Sequence, residues 1–126
     1  MNIEKTATIL VIDDSTTNVV LLEAILNGKG YRIETALNAT EAYQLIEKQK
    51  PDLILLDLLM PRINGYDFLE NIKGRKETKE IPVIVVSAVT DAENIKRTMN
   101  MGATDFIKKP VDIQNLISKV NNILNT

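Results

Sequence analysis

Five apolar runs of strand length, each followed by a stretch of helical period, alternate along the chain. This alternation constrains the fold more than any other feature, because strands of this kind separated by amphipathic helices are βα units laid on a parallel sheet. The first run, Thr8 to Ile12, is unbroken apolar sequence after a threonine, as expected for a strand covered on both faces. Asp13 and Asp14 end it. Asn18 to Lys29 carries Val19, Leu22, Ile25 and Leu26 at spacings of three and four, so one helical face is apolar, and Gly28 and Gly30 offer its stop. Tyr31 to Ala36 sets Tyr31, Ile33 and Thr35 against polar neighbours, which suits a strand near an edge.

The pattern then repeats. Asn38 with Glu41 three residues on resembles a capped helix start, leading into Ala42, Leu45 and Ile46, and Pro51 closes that helix. Leu53 to Leu56 is a fully apolar strand ending at Asp57, followed by a loop with Pro61 and Gly65 and a short helix bearing Phe68, Leu69 and Ile72, ended by Gly74. Pro82 to Val86, after a charged loop, is the most β-branched strand and reaches Ser87. The fourth helix follows Thr90 with Ile95 and Met99 four apart, and Gly102 is expected to be a left-handed cap before the fifth strand, Asp105 to Lys108. Pro110 breaks the chain there, and Asp112 caps a last helix carrying Ile113, Leu116, Ile117, Val120, Ile123 and Leu124. The expected architecture is α/β: a (βα)5 doubly wound parallel sheet of five strands, helices on both faces, in one domain over residues 1–126.

At 126 residues the chain can bury roughly two-thirds of its unfolded surface, so it needs no disulfide or structural metal to fold. It contains no cysteine and no histidine, which removes thiolate nucleophiles, zinc fingers and every imidazole base from its own repertoire. Chemistry here must use carboxylates, hydroxyls, lysine or arginine. Fifteen basic against seventeen acidic residues give no field to hold a phosphate backbone, which argues against direct nucleic-acid binding. No apolar run approaches the ~20 residues that cross a bilayer, and Met1 to Thr6 lacks the order of a secretion signal, so the expected location is cytoplasmic, away from membranes.

In open parallel α/β sheets, ligand sites lie beyond the carboxyl ends of the strands, where strand order reverses. Strand one ends in Asp13 and Asp14, strand three in Asp57, strand four in Ser87 and strand five at Lys109. Each has an ordinary alternative. The aspartate pair could cap a helix, Asp57 could be a turn residue, Ser87 a helix-entry hydroxyl and Lys109 a solvated lysine. Independent caps and surface residues have no reason to fall at the carboxyl ends of four strands, and that coincidence favours a shared site. Three converging carboxylates repel one another unless a cation relieves them, and oxygen donors without nitrogen or sulfur point to Mg2+. The third carboxylate is then free to be a nucleophile toward phosphorus, with a lysine ammonium and a serine hydroxyl to meet the phosphoryl oxygens.

The residues ILVIDDS, PDLILLDLLMPRINGYDFL, IPVIVVSA and GATDFIKKP together resemble the receiver domain of two-component response regulators, from Thr8 through Leu124. The resemblance implies a flavodoxin-like strand order 2-1-3-4-5. It implies that Asp57 is the phosphoacceptor, that Asp14 and the Leu59 carbonyl ligate Mg2+ directly with Asp57, and that Asp13 does so mainly through water. Lys109 would hold the phosphoryl group, with a cis bond to Pro110, and Ser87 with Phe106 would form a switch read at the fourth helix, fifth strand and fifth helix. Small Ala88 leaves room for that movement, while the alternative is that Phe106 is permanent core. Implied partners are a histidine kinase or histidine phosphotransfer protein, a downstream protein target or fused output domain, and a second copy in a phosphorylation-dependent homodimer. Leu59 and Val89 are apolar where many receivers carry polar groups that orient water, so a long-lived acyl phosphate is expected.

Other readings fit less well. A phosphohydrolase with an aspartyl intermediate needs a second acid where Leu59 stands. A flavodoxin-like carrier would have to accept an unmetallated phosphate beside two aspartates, with only three tyrosines and two phenylalanines to stack a flavin. A receiver-like scaffold that is never phosphorylated remains the nearest alternative. An end just after the fifth helix fits a stand-alone regulator, and equally an excised domain of a longer regulator or hybrid kinase.

Overall fold

The computed structural model describes residues 6–60, 63–88 and 91–125, and all five expected βα units lie within them. The strands are β1 (Thr8–Ile12), β2 (Arg32–Ala36), β3 (Leu53–Leu56), β4 (Val83–Ser87) and β5 (Asp105–Lys108). All pair in parallel in the order β2-β1-β3-β4-β5. The helices are α1 (Thr16–Asn27), α2 (Ala39–Lys48), α3 (Gly65–Gly74), α4 (Ala92–Asn100) and α5 (Ile113–Leu124). Chain order and spatial order part at β1, which has β2 on one side and β3 on the other, so the expected reversal of strand order falls between β1 and β3.

Period two in the strands divides the apolar residues between two cores. Leu10, Ile12, Ile54, Leu56, Val83 and Val85 face α2 and α3, where Ala42, Ile46, Phe68, Leu69 and Ile72 cover them. Ile9, Val11, Leu53, Leu55, Ile84, Val86 and Ile107 face the other way, against Val19, Leu22 and Leu26 of α1 and Leu116 and Val120 of α5. Burying one such side chain fully contributes about 1.5–3 kcal/mol, so both faces must stay covered and the register cannot slip. As expected, the half-covered strand β2 lies at an edge.

Local chemistry sets the helix ends. Asn38 Oδ1 accepts the Glu41 amide at 2.9 Å, and Glu41 reaches back to accept the Leu37 amide at 2.8 Å, one residue further than in the usual reciprocal cap. Asp112 caps α5 as expected, accepting from the Gln114 and Asn115 amides. Gly102 takes the expected left-handed turn at φ +107° before β5.

Four details differ from the sequence expectation. The helix after β1 starts at Thr16, because Ser15 rather than either aspartate is its N-cap. After β3 the chain is not all loop: Leu59–Met60 pairs antiparallel with Ile63–Asn64 as a two-stranded ribbon. In α4 neither Ile95 nor Met99 joins a core; the one buried residue is Thr98, whose hydroxyl donates to the Asn94 carbonyl at 2.8 Å, and Met99 is exposed. Ile113, first in the expected stripe of α5, is also exposed. Pro61, Val89 and Thr90 lie outside the described residues.

The ribbon returns the chain to the end of β3 through Gly65, whose amide donates to the Leu58 carbonyl at 3.2 Å. A Cβ there would stand 2.5 Å from Leu58 Cα and 2.8 Å from the Asp57 and Leu58 carbonyl oxygens, backbone that cannot swing aside. Gly65→Ala is therefore expected to cost about 1–3 kcal/mol and lower Tm in a thermal melt. An unchanged Tm would mean that the Asp57–Leu58 backbone yields freely.

Candidate functional site

Register brings the acidic residues together. Ile12 and Leu56 are partners across β1 and β3, so the residues that follow them, Asp13 and Asp57, stand side by side at the carboxyl edge. Their backbones are pinned there: the Asp57 amide donates to the Ile12 carbonyl at 3.0 Å, and the Asp13 amide to the Ala36 carbonyl at 3.1 Å. Asp13, Asp14 and Asp57 each bring one carboxylate oxygen into a group whose members lie within 4.8 Å of one another. Asp13 and Asp57 are buried, while Asp14 is exposed.

Lys109 reaches this pair from the far side of the sheet. It follows β5, two strands from β3, and its amide donates to the Ser87 carbonyl at 2.9 Å. Its Nζ donates to Asp13 Oδ2 at 3.0 Å and to Asp57 Oδ2 at 3.3 Å. The small, fully buried Ser87 stands at the end of the intervening strand. Lys109 is joined to Pro110 by a cis bond, as expected. Half-buried Phe106 on β5 packs against the core that faces α2 and α3.

The electrostatics are unequal across the pair. Burial, the largest influence, pushes the Lys109 ammonium down, but hydrogen bonding and charge from Asp13, followed by those from Asp57, outweigh it and leave the net direction up. Burial also dominates at Asp57, where it raises the carboxyl against the Leu59 amide at 3.0 Å and Lys109, and the Asp13 charge adds to the rise. Both members of the pair move up: burial with the Asp13 charge outweighs Lys109 and the Leu59 amide at Asp57, while the two carboxylates outweigh burial at Lys109. Asp13 is also held at Oδ1 by the Ser15 amide at 2.9 Å, with Asn18 Nδ2 at 3.5 Å from Oδ2.

The structure therefore brings Asp13, Asp14, Asp57 and Lys109 together, with Ser87 at the neighbouring strand end. Leu59 is in the ribbon, exposed at 53%, with its amide turned to Asp57. Sequence reasoning missed three contributors. Ser15 caps α1 and feeds its amide to Asp13, Asn18 approaches the same carboxylate, and Gly65 allows the close return against Asp57. The serine after an acidic pair, three before Asn18, carried a signal for the first; the Gly65 contact depends on tertiary approach and carried none.

All metal-competent donors in the cluster are carboxylate oxygens, the hard set that suits Mg2+. Three ionised carboxylates against one ammonium leave a formal charge of −2 (−3 + 1), which a divalent cation would neutralise. The residues present fit that ion.

Comparison with known proteins gives the same family from independent ground. Residues 9–121 match the response regulator receiver domain family. The response regulator PleD of Caulobacter vibrioides is 35% identical over 93% of this chain, which spans 26% of that protein. Protein PilH of Pseudomonas aeruginosa is 34% identical over 94% of this chain and 98% of its own length. The crystal structure of the signal receiver domain of a signal transduction histidine kinase from Syntrophus aciditrophicus superposes with TM-score 0.86 at 36% identity, covering 95% of this chain and 91% of that one. The strand order, the acidic edge and these matches agree: the chain belongs to the response regulator receiver domains of two-component systems, phosphorylation-dependent signalling switches whose characteristic modification is on aspartate.

Proposed function

We propose that Asp57 accepts the phosphoryl group in this chain and that the modified state is read by a partner protein. The observation that carries this reading is the Lys109 ammonium shared between Asp13 and Asp57 where strand order reverses. A buried, incompletely neutralised carboxylate beside a cation is a suitable nucleophile toward an incoming phosphoryl group. An Asp57 oxygen attacks phosphorus of a phosphohistidine, the P–N bond breaks, and its electron pair stays on the imidazole of the donor. Lys109 then follows the new charge onto a phosphoryl oxygen, and the Ser87 hydroxyl donates to another.

Receiver domains bind Mg2+ at an acidic pocket, and this chain has such a cluster. Asp14, Asp57 and the Leu59 carbonyl would hold the ion directly, with Asp13 mainly through water. Bound Mg2+ supplies the positive charge that lets an anionic donor approach an anionic acceptor. Because the chain has no histidine, the phosphoryl group comes from a histidine kinase, a histidine phosphotransfer protein or a small acyl phosphate. Acceptance is assisted by the chain's own residues, and we count it a switch rather than an enzyme.

The switch itself is proposed at Ser87 and Phe106. Val85 pairs with Phe106 and Ser87 with Lys108, so the two stand on adjacent strands near the acceptor edge. Phe106 is half-buried, which leaves it a second position further inward, and exposed Ala88 next to Ser87 adds no bulk. The α4, β5 and α5 face would carry the signal to a protein target, a fused output domain or a second copy of the chain. Matches to nearly all of PilH and a quarter of PleD are compatible with a free-standing regulator and with one domain of a longer protein. We read residues 1–126 as one domain. Among the described residues no helix is long and apolar enough to cross a membrane, which supports a cytoplasmic setting.

Intact-mass measurement after incubation with acetyl phosphate and Mg2+ is expected to add one phosphoryl group, absent in Asp57→Asn and after chelation of the metal. Lys109→Ala should slow the addition by about 100-fold or more. No adduct on the native chain would favour a scaffold that is never phosphorylated. Leu59→Asn combined with Val89→Glu is expected to shorten the lifetime of the adduct, and an unchanged half-life would remove the idea that apolar neighbours prolong it. In the metal-free protein Asp57→Asn should be more stable to urea at neutral pH, because it deletes a buried charge facing Asp13. A less stable variant would mean that Lys109 neutralises Asp57 fully.

A further inference from the structure

Strand β2 ends the sheet on one side, and among the described residues no strand pairs with its outer edge. Its hydrogen-bond phase is fixed by two inward bonds: the Arg32 amide donates to the Ala7 carbonyl at 2.9 Å, and the Ala36 carbonyl accepts from the Asp13 amide at 3.1 Å. The amide and carbonyl of one residue in a parallel ladder point to the same side, and the next residue points to the other. Arg32, Glu34 and Ala36 therefore turn their backbone toward β1, while Ile33 and Thr35 turn theirs outward.

An edge of this kind is a template for another strand unless something blunts it. Arg32–Ala36 holds no proline and no lysine, and its register against β1 runs without a bulge. The strand is charged, but with one residue of each sign. Arg32 is exposed and Glu34 half-buried, two positions apart on the side of Ala36, which faces α2. Among the described residues neither has an ion-pair partner. Helix α2 does not cover this edge, because a groove lined by Thr35, Glu41, Gln44, Leu45 and Lys48 opens beside it.

We propose that two copies of the chain pair antiparallel through β2, about a two-fold axis at Ile33. Outward groups must meet outward groups, so only alternate registers are open to the pair. With Ile33 opposite its own copy, Arg32 stands opposite the partner's Glu34 and Glu34 opposite the partner's Arg32. These are the non-hydrogen-bonded positions, where Cα atoms approach to about 4.5 Å and side chains meet most closely. The next register on one side sets Glu34 against Glu34, and the next on the other sets Arg32 against Arg32, both repulsive. Charge thus selects the central register. In it Ile33 exchanges both backbone bonds with its copy, and the Thr35 amide donates to the partner's Tyr31 carbonyl.

Antiparallel pairing points the two acidic edges in opposite directions, and β5 lies at the far side of each sheet. Asp57 and the α4, β5 and α5 face stay uncovered, so the pair forms without phosphorylation and does not rest on the receiver reading. A short strand pair buries less than a standard interface, which makes the dimer weak and concentration-dependent.

Sedimentation equilibrium tests this on the full chain, without metal or phosphodonor, over a rising concentration series at low ionic strength. The native mass is expected to climb toward that of a dimer. Arg32→Glu and Glu34→Arg should each weaken association about tenfold or more, because each makes both cross-strand pairs like-charged. Combining the two reversals should bring association back to within about threefold of native, since the same pairs form with their signs exchanged. Arg32→Ala and Glu34→Ala, which remove attraction without adding repulsion, should weaken it about two- to fivefold and decide the matter if a reversal disturbs the fold. A native chain that stays monomeric throughout would overturn the proposal. A dimer indifferent to the single reversals would belong to another face, and one lost in them but not recovered in the combined variant would mean that Arg32 and Glu34 do not face each other; either result overturns it.

Discussion

Two carboxylates are forced to be neighbours by the sheet itself, and much of the molecule is arranged around that repulsion. Asp13 and Asp57 follow partnered residues on adjacent parallel strands, so strand spacing of about 4.8 Å holds them together whatever their charges prefer. In bulk water such a pair would cost little, but both are buried at the strand edge, where the cost rises to several kcal/mol. A single ammonium meets both, nearer to Asp13, and burial with the Asp13 charge keeps Asp57 raised. The site is thus held short of charge balance by its own scaffold, and a divalent cation or a phosphoryl group changes that balance.

Much of this was legible in the chain because parallel sheets write themselves in local sequence. Each strand is an apolar run, each carboxyl end carries its polar residue directly after it, and the helix caps Asn38 and Asp112 stand where their hydrogen bonds are made. Asp13, Asp57 and Lys109 could be grouped since a parallel sheet brings all carboxyl ends to one edge. What was not legible depends on approach between distant segments. Gly65 looks like any loop glycine until the Asp57–Leu58 backbone is seen against it, and the ribbon from Leu59 rests on backbone pairing that no side-chain period announces.

Helix α4 shows a different limit. Its spacing of Ile95 and Met99 reads as an apolar face, yet Thr98 takes the buried position. A period of four names a face without saying how deeply it is inserted, and here the insertion is shallow. The other helices are held by interdigitated side chains that cannot slide without opening cavities.

The span of the site along the chain has its own consequence. Lys109 and Asp13 meet across 96 positions, with Asp57 and Ser87 contributed from the segments between. No fragment that lacks the first strand or the last can gather the set, because both chain-terminal units must dock before the ammonium finds its carboxylates. Closing a contact of such sequence separation must overcome the entropy of the long intervening chain. On the reading proposed above, a chain cut short of either terminal unit would lack Asp13 or Lys109, so competence to take a phosphoryl group would also report that both ends of the sheet are in place.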